Sequence, residues 1–389
     1  MRLACNARGY AEPNPTVGCV IVKDGRVIGE GWTQAFGGPH AEPTALAACA
    51  ESPEGATAYV TLEPCSHTNK KTPPCAPRLV AAKLARVVIG CLDPHPQVNG
   101  NGVAMLRAAG IEVDHAPPPL EAECKQLIAP FIAFTVLKRP YVTLKWAQTA
   151  DGKVAGSGGR RMQISNAASS RLVHQLRARS DAILVGMGTV REDDPTLTAR
   201  GVRFARPLIR AVVGSGDLMM NGQLLKTRDS GPVVRYVAAT LRDERAEHPE
   251  MLERALEKLA RFGIEVVTVP RTGEHRVDLR AVLADLHARG VTHLMVEPGP
   301  TLARSFIAEG LVDRLWVFRS ANTLDELVVY SPVKYRGQPA PVAAEIPAVY
   351  LQSGQLDCEG DVLSEYLNPA SAAYFATTPS ADLVLARDW

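Results

Sequence analysis

The sequence predicts an α/β protein built from two domains. Its 389 residues are enough for two domains of ordinary size, each with its own core. In both halves, short apolar, β-rich runs alternate with alanine-rich helical stretches, which is typical of sheets that contain parallel strands. Three prolines at 117–119 and the step from Arg139 to Pro140 interrupt the alternation. We therefore place the boundary near residue 139, which gives domains 1–138 and 139–389.

The first domain is predicted to begin with two strands joined by a tight turn. Residues 17–22 form a β-rich apolar run, and Asp24-Gly25 is a two-residue turn signal that leads into Val27-Ile28. Alternation continues from there to a helix that bridges the two domains. The further elements predicted in this half are a helix at 40–50, a strand at 57–62, a helix at 77–84, a strand at 86–91 and the bridging helix at 120–137.

The second domain continues the alternation, and no internal repeat is visible. Its first strand is predicted at 141–146. After about Ser320 the periodicity is weak, so residues 320–389 receive no predicted element. The strands predicted before that point are 182–185, 208–213, 232–238, 264–269, 293–296 and 315–318, and the helices are 167–179, 249–262, 279–289 and 301–309.

Composition and charge exclude several broad classes of protein. Hydrophobic residues make up 46% and charged residues 22% of the chain, so disorder of the whole is excluded. The 43 basic and 41 acidic residues give a net charge of +2, unlike the basic surface of a non-specific nucleic-acid binder. No apolar run reaches the length of about 18 residues that a membrane span needs, and residues 1–9 lack a signal-peptide pattern. We expect a cytoplasmic protein without nucleic-acid or membrane partners.

The strongest chemical signal is a zinc-ligand pattern in the first domain. Six of the eight cysteines lie within the first 91 residues, and in a reducing compartment such crowding favours metal binding or catalysis over disulfides. His40, Cys65 and Cys75 are the ligand set of a catalytic zinc, which keeps its fourth position for water and lowers the pKa of that water. Glu42 can take the water's proton and pass it to a ring nitrogen and then to departing ammonia. Zinc nucleobase deaminases use this arrangement.

Other interpretations of these residues stay open. Taken singly, His40 is better explained as a core histidine and each cysteine as a buried hydrophobe, but the pieces together with Glu42 favour zinc catalysis. A purely structural zinc would need a fourth protein ligand, for which His67 is the candidate. Nine residues separate Cys65 from Cys75, unlike the two in the nucleobase-deaminase motif. We therefore expect a loop that returns its proline-rich end to the metal.

These motifs resemble the bifunctional riboflavin-biosynthesis deaminase/reductase family. The resemblance implies a cytidine-deaminase-like α/β/α sandwich in the first domain, which removes the 2-amino group of a diaminopyrimidinone carrying a phosphoribosylamino substituent. It also implies that Asn14 and His67 hold the ring and that Lys71 meets the phosphate, although Lys71 could equally be a solvated loop lysine. His95 departs from the asparagine that the family usually has there. The matching stretches are Pro13 to Gly18, Gly38 to Glu42, Thr61 to His67 and Thr72 to Cys75.

The second half resembles the reductase domain of the same family. The resemblance implies a dihydrofolate-reductase-like α/β fold that uses NADPH to reduce the ribosyl group of the deaminated intermediate to ribityl. The matching stretches are Leu144-Lys145, Asp151 to Ala155, Leu176 to Ala178, Asp181 to Gly186, Thr189-Val190, Asp193 to Arg200 and Val296 to Leu302. By this resemblance, substrate contacts fall on Arg161, Arg177, Leu197, Arg200 and Glu297, and cofactor contacts fall on Ala147, Gln163, Thr189, Asp193, Ser215, Gly299, Pro300, Thr301 and Leu302.

Physical arguments support some of these assignments and leave others open. The run Gly299 to Thr301 follows a predicted strand and opens a predicted helix, so free N–H groups there can face a pyrophosphate; a plain helix cap is the alternative. Arg177 and Arg200 can bind a phosphate as forked cations, or can be ordinary surface arginines. Lys153 is a hypothetical partner for the phosphate or for the imine that is reduced. Gln163 stands where many members of the family carry tryptophan, so one wall of the nicotinamide pocket is expected to differ.

Three rival functions remain at this point. The chain could be a deaminase whose reductase half is degenerate, because the family's closing strand pair is not evident after residue 320. It could be a zinc deaminase of nucleosides or RNA, although the near-neutral charge and the 5% of aromatic residues argue against nucleic acid. It could also be a zinc-stabilised binding protein without activity. The expected ligands are Zn²⁺, NADPH and a small phosphorylated pyrimidine, and we expect a homo-oligomer.

Overall fold

The two halves of the chain form two compact units. The structure is a computed structural model, and it describes residues 1–68, 72–95, 98–154, 162–202, 207–216, 222–239, 257, 259–273, 276–324 and 345–371. Within these ranges, one unit comprises Met1–Lys138 and the other Arg139–Ser371. No helix in the described ranges combines the length and the apolar character needed to cross a bilayer.

The first unit is a five-stranded sheet with helices on its faces. The strands lie in the order β2-β1-β3-β4-β5; β1 is antiparallel to both of its neighbours, and β3, β4 and β5 run parallel. The strands are β1 Gly18–Lys23, β2 Arg26–Trp32, β3 Thr57–Val60, β4 Arg86–Ile89 and β5 Glu112–His115, and the helices are α1 Arg2–Cys5, α2 Ala41–Ala47, α3 Cys75–Ala81, α4 Asn101–Ala108, α5 Pro118–Leu127 and α6 Ala129–Ile132.

The predicted turn between the first two strands is confirmed. Asp24 and Gly25 both have left-handed backbone, with φ of 49° and 74°, as a two-residue hairpin turn requires because its twist matches that of the strands. The hairpin pairs Lys23 with Arg26 and Gly18 with Trp32. The first two strands and their turn therefore lie where the sequence predicts them, whereas the short helix α1 that precedes them was not predicted.

The helix predicted at 120–137 is wrong as a single helix. The chain forms α5, breaks at Ile128, and continues as the short α6 and a π-helix at Ala133–Leu137. Pro130 explains the break, because it has no N–H to continue the hydrogen bonding of α5 and its ring clashes with a preceding carbonyl. It is tolerated as the second residue of α6, where no intrahelical partner is needed.

The second unit contains a nine-stranded sheet in the order β10-β9-β8-β7-β13-β6-β14-β16-β15. The first seven strands in this order, from β10 across the sheet to β14, run parallel to one another. Strand β16 is antiparallel to β14, and β15 is antiparallel to β16. The predicted helix at 249–262 lies mostly outside the described residues. The strands are β6 Tyr141–Gln148, β7 Ala182–Gly186, β8 Ile209–Val213, β9 Val233–Ala238, β10 Ile264–Val269, β11 Arg271–Thr272, β12 Arg276–Val277, β13 His293–Val296, β14 Arg314–Arg319, β15 Leu351–Cys358 and β16 Asp361–Leu367, and the helices are α7 Ala167–Arg179, α8 Met187–Asp193, α9 Gln223–Lys226, α10 Leu279–Ala288 and α11 Pro300–Ala308.

The strand pair that was not evident after residue 320 is present as β15 and β16. Its pattern is weak because β15 lies at the edge of the sheet with half of its residues exposed, whereas β16 buries polar residues such as Glu365. The pair also anchors α7, since Asp361 Oδ2 accepts the N–H of Asn166 at 2.7 Å and the hydroxyl of Ser169 at 2.7 Å. The concern that this half lacks its closing strands is therefore removed.

Candidate active sites

The three predicted metal ligands come together in the first unit. His40 immediately precedes α2, Cys65 follows β3, and Cys75 is the first residue of α3. His40 Nδ1 is 3.6 Å from Cys65 Sγ and 3.5 Å from Cys75 Sγ. The backbone N–H of Cys75 donates to Cys65 Sγ at 3.4 Å. One ligand atom from each residue lies within 4.8 Å of the other two.

These separations fit a tetrahedral zinc ion. Zn–S distances of about 2.3 Å and Zn–N distances of about 2.0–2.1 Å place nitrogen and sulfur ligands about 3.6 Å apart at tetrahedral angles. His40 Nε2 lies 3.2 Å from Thr72 Oγ1, and an outer hydrogen bond of this kind fixes the ring of a metal-binding histidine. His67 is not in the metal-ligand cluster found among the described residues. Three protein ligands are the composition of a catalytic rather than a structural site.

Glu42 lies beside this cluster in the first turn of α2 and is 3% exposed. Burial and the neighbouring Cys65 raise the pKa of Glu42 to about 7, although the His40 charge acts in the opposite direction. A carboxyl group that binds and releases a proton near neutral pH is suited to general acid–base chemistry.

A cavity of ≈ 330 Å³ is lined by Glu42 and by two of the ligands, His40 and Cys65. It is lined by two further predicted residues, Asn14 and His67, and by His95. The rings of His67 and His95 are stacked, with centroids 5.6 Å apart and planes 7° apart. Lys71 lies outside the described residues. The structure thus brings the predicted metal, proton-transfer and ring-binding residues into one cavity.

Thr72 is a site residue that the sequence did not single out. It belongs to the motif that ends at Cys75, but a threonine in a loop carries no signal of a contact with a histidine 32 positions away. The signal that could have identified Thr72 is its place in the stretch Thr72 to Cys75, which matches a motif of the family.

A larger cavity of ≈ 730 Å³ lies in the second unit. Gly299 is the residue before α11 and Pro300 is its first residue. Both line the cavity together with Thr301, so free N–H groups at the start of this helix can meet an anion there. Gln163 lines the same cavity, where many relatives are expected to have tryptophan. The predicted residues that line it are Ala147, Gln163, Thr189, Asp193, Ser215, Glu297, Gly299, Pro300, Thr301 and Leu302.

Arg177 and Glu297, both predicted to contact substrate, form an ion pair with each other. The Nε and Nη2 atoms of Arg177 donate to Oε1 and Oε2 of Glu297 at 2.6 and 2.8 Å. Burial alone would raise the pKa of Glu297, but the charge and hydrogen bonds of Arg177 outweigh it and hold the pKa at about 2. Two guanidinium nitrogens of Arg177 are thus bound to Glu297, and the third, Nη1, donates to the carbonyl oxygen of Thr198 at 3.0 Å.

The loop that carries the other two predicted substrate residues lies next to this pair. Leu197 is buried and has a left-handed backbone with φ of 52°, a strained conformation that persists mainly at functional sites. Arg200 donates through Nη1 to Thr196 Oγ1 at 2.6 Å. Neither residue, nor Arg177, is among the described residues that line the larger cavity, and Arg161 lies outside the described residues.

Lys145 is a second residue whose role the sequence did not reveal. It lines the larger cavity, and its Nζ lies 5.4 Å from the centre of the Phe318 ring. Burial lowers the pKa of Lys145, although Glu297 opposes the shift. The sequence pointed instead to Lys153, which does not line this cavity and whose backbone N–H donates to Thr149 Oγ1 at 2.9 Å. The pattern of one lysine in a β-strand carries no signal of which face of the sheet it occupies.

Two family models match the chain in separate segments. Residues 1–91 match the cytidine and deoxycytidylate deaminase zinc-binding region, which includes His40, Glu42, Cys65 and Cys75. Residues 140–324 match the RibD C-terminal domain. The two matches correspond to the two units of the structure.

Known proteins resemble the chain over most of its length. The riboflavin biosynthesis protein RibD of Aquifex aeolicus is 38% identical over 84% of this chain and 86% of its own length. That of Escherichia coli is 38% identical over 83% and 86%. A solved diaminohydroxyphosphoribosylaminopyrimidine deaminase/5-amino-6-(5-phosphoribosylamino)uracil reductase from Thermotoga maritima is 30% identical, with a TM-score of 0.73 over 94% of this chain and 96% of that chain.

Proposed function

Because the chain belongs to the RibD family of bifunctional deaminase/reductases of riboflavin biosynthesis, we propose that its two cavities carry out two consecutive reactions. The first is hydrolytic deamination of 2,5-diamino-6-(5-phosphoribosylamino)pyrimidin-4(3H)-one. The second is NADPH-dependent reduction of the ribosyl group to give 5-amino-6-(5-phosphoribitylamino)uracil. The observation that carries the proposal is that His40, Cys65 and Cys75 form one ligand cluster and that His40, Cys65 and the buried Glu42 line one cavity.

In the deaminase site, His40, Cys65 and Cys75 would hold zinc, and Thr72 would orient the His40 ring. A bound zinc supplies a nucleophile at neutral pH by lowering the pKa of water. Glu42 accepts one proton from the attacking water at its carboxylate and transfers it to a ring nitrogen of the pyrimidine. It then takes the second proton from the hydroxyl group that has been added to the ring carbon and delivers it to the amino group, which leaves as ammonia while the carbonyl forms. Its pKa of about 7 suits both directions of transfer.

Ring binding in this site is assigned to the cavity walls. Asn14 and His67 line the cavity together with Glu42, so an amide and an imidazole can hydrogen-bond the edge of the pyrimidine. Lys71 remains a predicted phosphate contact, because it lies outside the described residues.

In the reductase site, the chain positions the cofactor and the sugar. NADPH supplies the hydride when bound, and the protein contributes geometry and charge. The N-terminus of α11 faces the cavity, so its N–H groups can hold the pyrophosphate. We assign to Lys145 the proton that the imine nitrogen takes up as its carbon receives hydride, since its pKa is lowered and it lines the cavity. Arg161, Arg177, Leu197 and Arg200 remain proposed substrate contacts.

The proposal includes a cytoplasmic homo-oligomer that has no nucleic-acid partner. All eight cysteines lie in the described ranges and none of them is in a disulfide, which favours a reducing compartment. The net charge of +2 gives no general attraction for nucleic acid. Sedimentation of the purified protein tests the oligomeric state.

Substitution of Glu42 tests the deaminase proposal. We expect Glu42→Gln to retain zinc, because the ligands are unchanged, and to lose ammonia release by about 10²–10⁴-fold because no proton shuttle remains. NADPH oxidation with the deaminated intermediate should continue. The matched control is Glu54→Gln, an exposed glutamate of the same unit, which should leave both activities intact.

Three outcomes would contradict the proposal. Equal deamination by Glu42→Gln and the wild type would exclude Glu42 as the proton shuttle. Ammonia released by the wild type from cytidine or RNA but not from the diaminopyrimidine phosphate would favour the nucleoside or RNA deaminase. Wild-type deamination without NADPH oxidation at saturating cofactor would leave a deaminase with a degenerate reductase.

A further inference from the structure

Glu63 is a buried acid of the first unit to which the mechanism above gives no task. It is 2% exposed and lies two positions before the metal ligand Cys65. Oε2 accepts the backbone N–H groups of Asp93 and Gly100 at 3.2 and 2.9 Å. Oε1 accepts those of Gly102 and Val103 at 2.9 and 3.2 Å. Four N–H donors around one carboxylate satisfy its charge without a cation.

The four donors belong to two pieces of chain, Asp93 to His95 and Val98 to Val103, which we call the site wall. Gly102 fits against the backbone of Pro64 so closely that a Cβ atom there would overlap the Pro64 carbonyl oxygen, a close approach that glycine permits. The site wall is thus held against the short segment from Glu63 to Cys65, which carries the first thiol ligand.

The site wall contributes three residues to the lining of the metal cavity, Asp93, His95 and Val98. The backbone N–H of His95 donates to Asp93 Oδ1 at 2.8 Å, and the His95 ring is stacked on His67. Val98 is 1% exposed and forms a small apolar cluster with Cys65 and Cys75, so it covers the two thiols. Apolar cover of this kind controls the access of solvent to a metal site and its local dielectric.

We propose that Glu63 is a positioning residue of the deaminase site, whose carboxylate fixes the site wall and thereby places the His95 ring beside His67 and the Val98 side chain over the ligand thiols. The proposal rests on the proposed deaminase function for its kinetic consequence. The structural consequence, that Glu63 fixes the site wall, is independent of that function and can be measured without substrate. A purely structural role, a remote cap on α4, would stabilise the fold without affecting substrate binding.

The decisive variant is Glu63→Gln, which keeps the shape of the side chain. One carboxylate oxygen becomes an NH₂ group, which faces two backbone N–H donors and cannot accept from them. We expect amide hydrogen exchange at Asp93, Gly100, Gly102 and Val103 to become at least about tenfold faster in the zinc-loaded protein, the factor expected when a hydrogen bond to a charged group is lost. Zinc content should remain that of the wild type.

Two further readouts separate positioning from stability. The KM for deamination should rise about tenfold while kcat changes much less, because the stacked wall binds the ring but transfers no proton. In cobalt-substituted protein, the thiolate-to-metal absorption should shift because the Val98 cover loosens. The control is Ile21→Val, a buried residue of strand β1 in the same core, which should lower the melting temperature and change neither readout.

A second variant guards against failure of Glu63→Gln to fold. His95→Ala should reproduce the rise in KM without faster exchange at Gly100, Gly102 and Val103, because the Glu63 contacts remain. Unchanged exchange in Glu63→Gln, or an unchanged KM in His95→Ala, would overturn the proposal. If the wild type itself does not deaminate the diaminopyrimidine phosphate, the proposed function fails, while the exchange and absorption measurements still decide the role of Glu63.

Discussion

Burial shifts the pKa values of Glu42 and Lys145, the two side chains to which we assign proton transfer. Glu42 has its pKa raised to about 7 in the first unit, and Lys145 has its pKa lowered in the second. In each case burial is the largest cause, since it disfavours the charged form of an acid and of a base alike. A group whose pKa moves towards the working pH is a more effective general acid or base. The chemistry of both sites therefore depends on where these side chains are buried.

We predict that Lys145→Met severely impairs reduction of the deaminated intermediate. NADPH oxidation with the deaminated intermediate should fall by at least about 10²-fold in kcat/KM, because the general acid is lost. Lys153→Met is the matched comparison, since the sequence pointed to Lys153 while only Lys145 lines the cavity. If Lys153→Met were the variant that loses reduction, the assignment to Lys145 would be wrong. Ammonia release should be the same in both variants.

The position of helix α2 relative to strand β2 sets the geometry of the metal site. His40 precedes α2 and Glu42 lies in its first turn, so a shift of this helix moves one ligand and the proton shuttle together. Gly29 and Gly31 of β2 lie against the helix, and a Cβ atom on Gly31 would overlap the backbone of Ala41 and Ala45. The helix can approach the strand so closely because these two positions have no side chain.

We predict that Gly31→Ala displaces helix α2. A contact with backbone cannot be relieved by a rotamer change, so we expect a loss of about 1–3 kcal/mol in the free energy of unfolding together with weaker zinc retention and at least about tenfold lower deamination. Urea unfolding, metal analysis and ammonia release measure the three effects. Val27→Ala on the same strand is the control, because Val27 is 58% exposed. Zinc retention and activity equal to the wild type in Gly31→Ala would show that α2 is not held at this strand.

Each unit combines a large hydrophobic core with a cavity that is lined by predicted site residues. The core of the first unit includes Ile21, Val60 and Ile89, and the core of the second unit includes Leu144, Leu184 and Val317. Because a ligand stabilises the folded state that binds it, zinc and NADPH should each act mainly on the unit that carries their site.

We predict that the first unit responds to zinc and the second unit to NADPH, each separately. Removal of zinc with a chelator should speed hydrogen exchange within residues 1–138 and abolish deamination, while NADPH oxidation continues. Addition of NADPH at about 100 times its Kd should stabilise by about 2.7 kcal/mol, slow exchange within 139–371, and raise the melting temperature of that unit by about 5–10 °C. Calorimetry with and without each ligand measures the shifts. Loss of NADPH oxidation on chelation would contradict the assignment of zinc to the first cavity alone.

The sequence by itself determined the features that are local along the chain. The Asp24-Gly25 turn was predictable because two consecutive residues in left-handed backbone need specific residue types. His40, Cys65 and Cys75 were recognisable because metal ligands and their spacing have few chemical substitutes, and Glu42 was recognisable from its place two positions after His40. The alternation of strands and helices predicted the α/β class, and short motifs predicted five residues that line the first cavity and ten that line the second.

Only the tertiary structure decided the features that join distant parts of the chain. The pairing of Arg177 with Glu297 spans 120 positions, the choice of Lys145 over Lys153 depends on which face of a strand meets the cavity, and the role of Glu63 depends on backbone N–H groups that any residue could supply. The closing strands β15 and β16 carry polar residues, so hydrophobic periodicity does not reveal them. The physical reason is common to all four: burial and backbone contacts arise from packing, and neither leaves a residue pattern that can be read along the sequence.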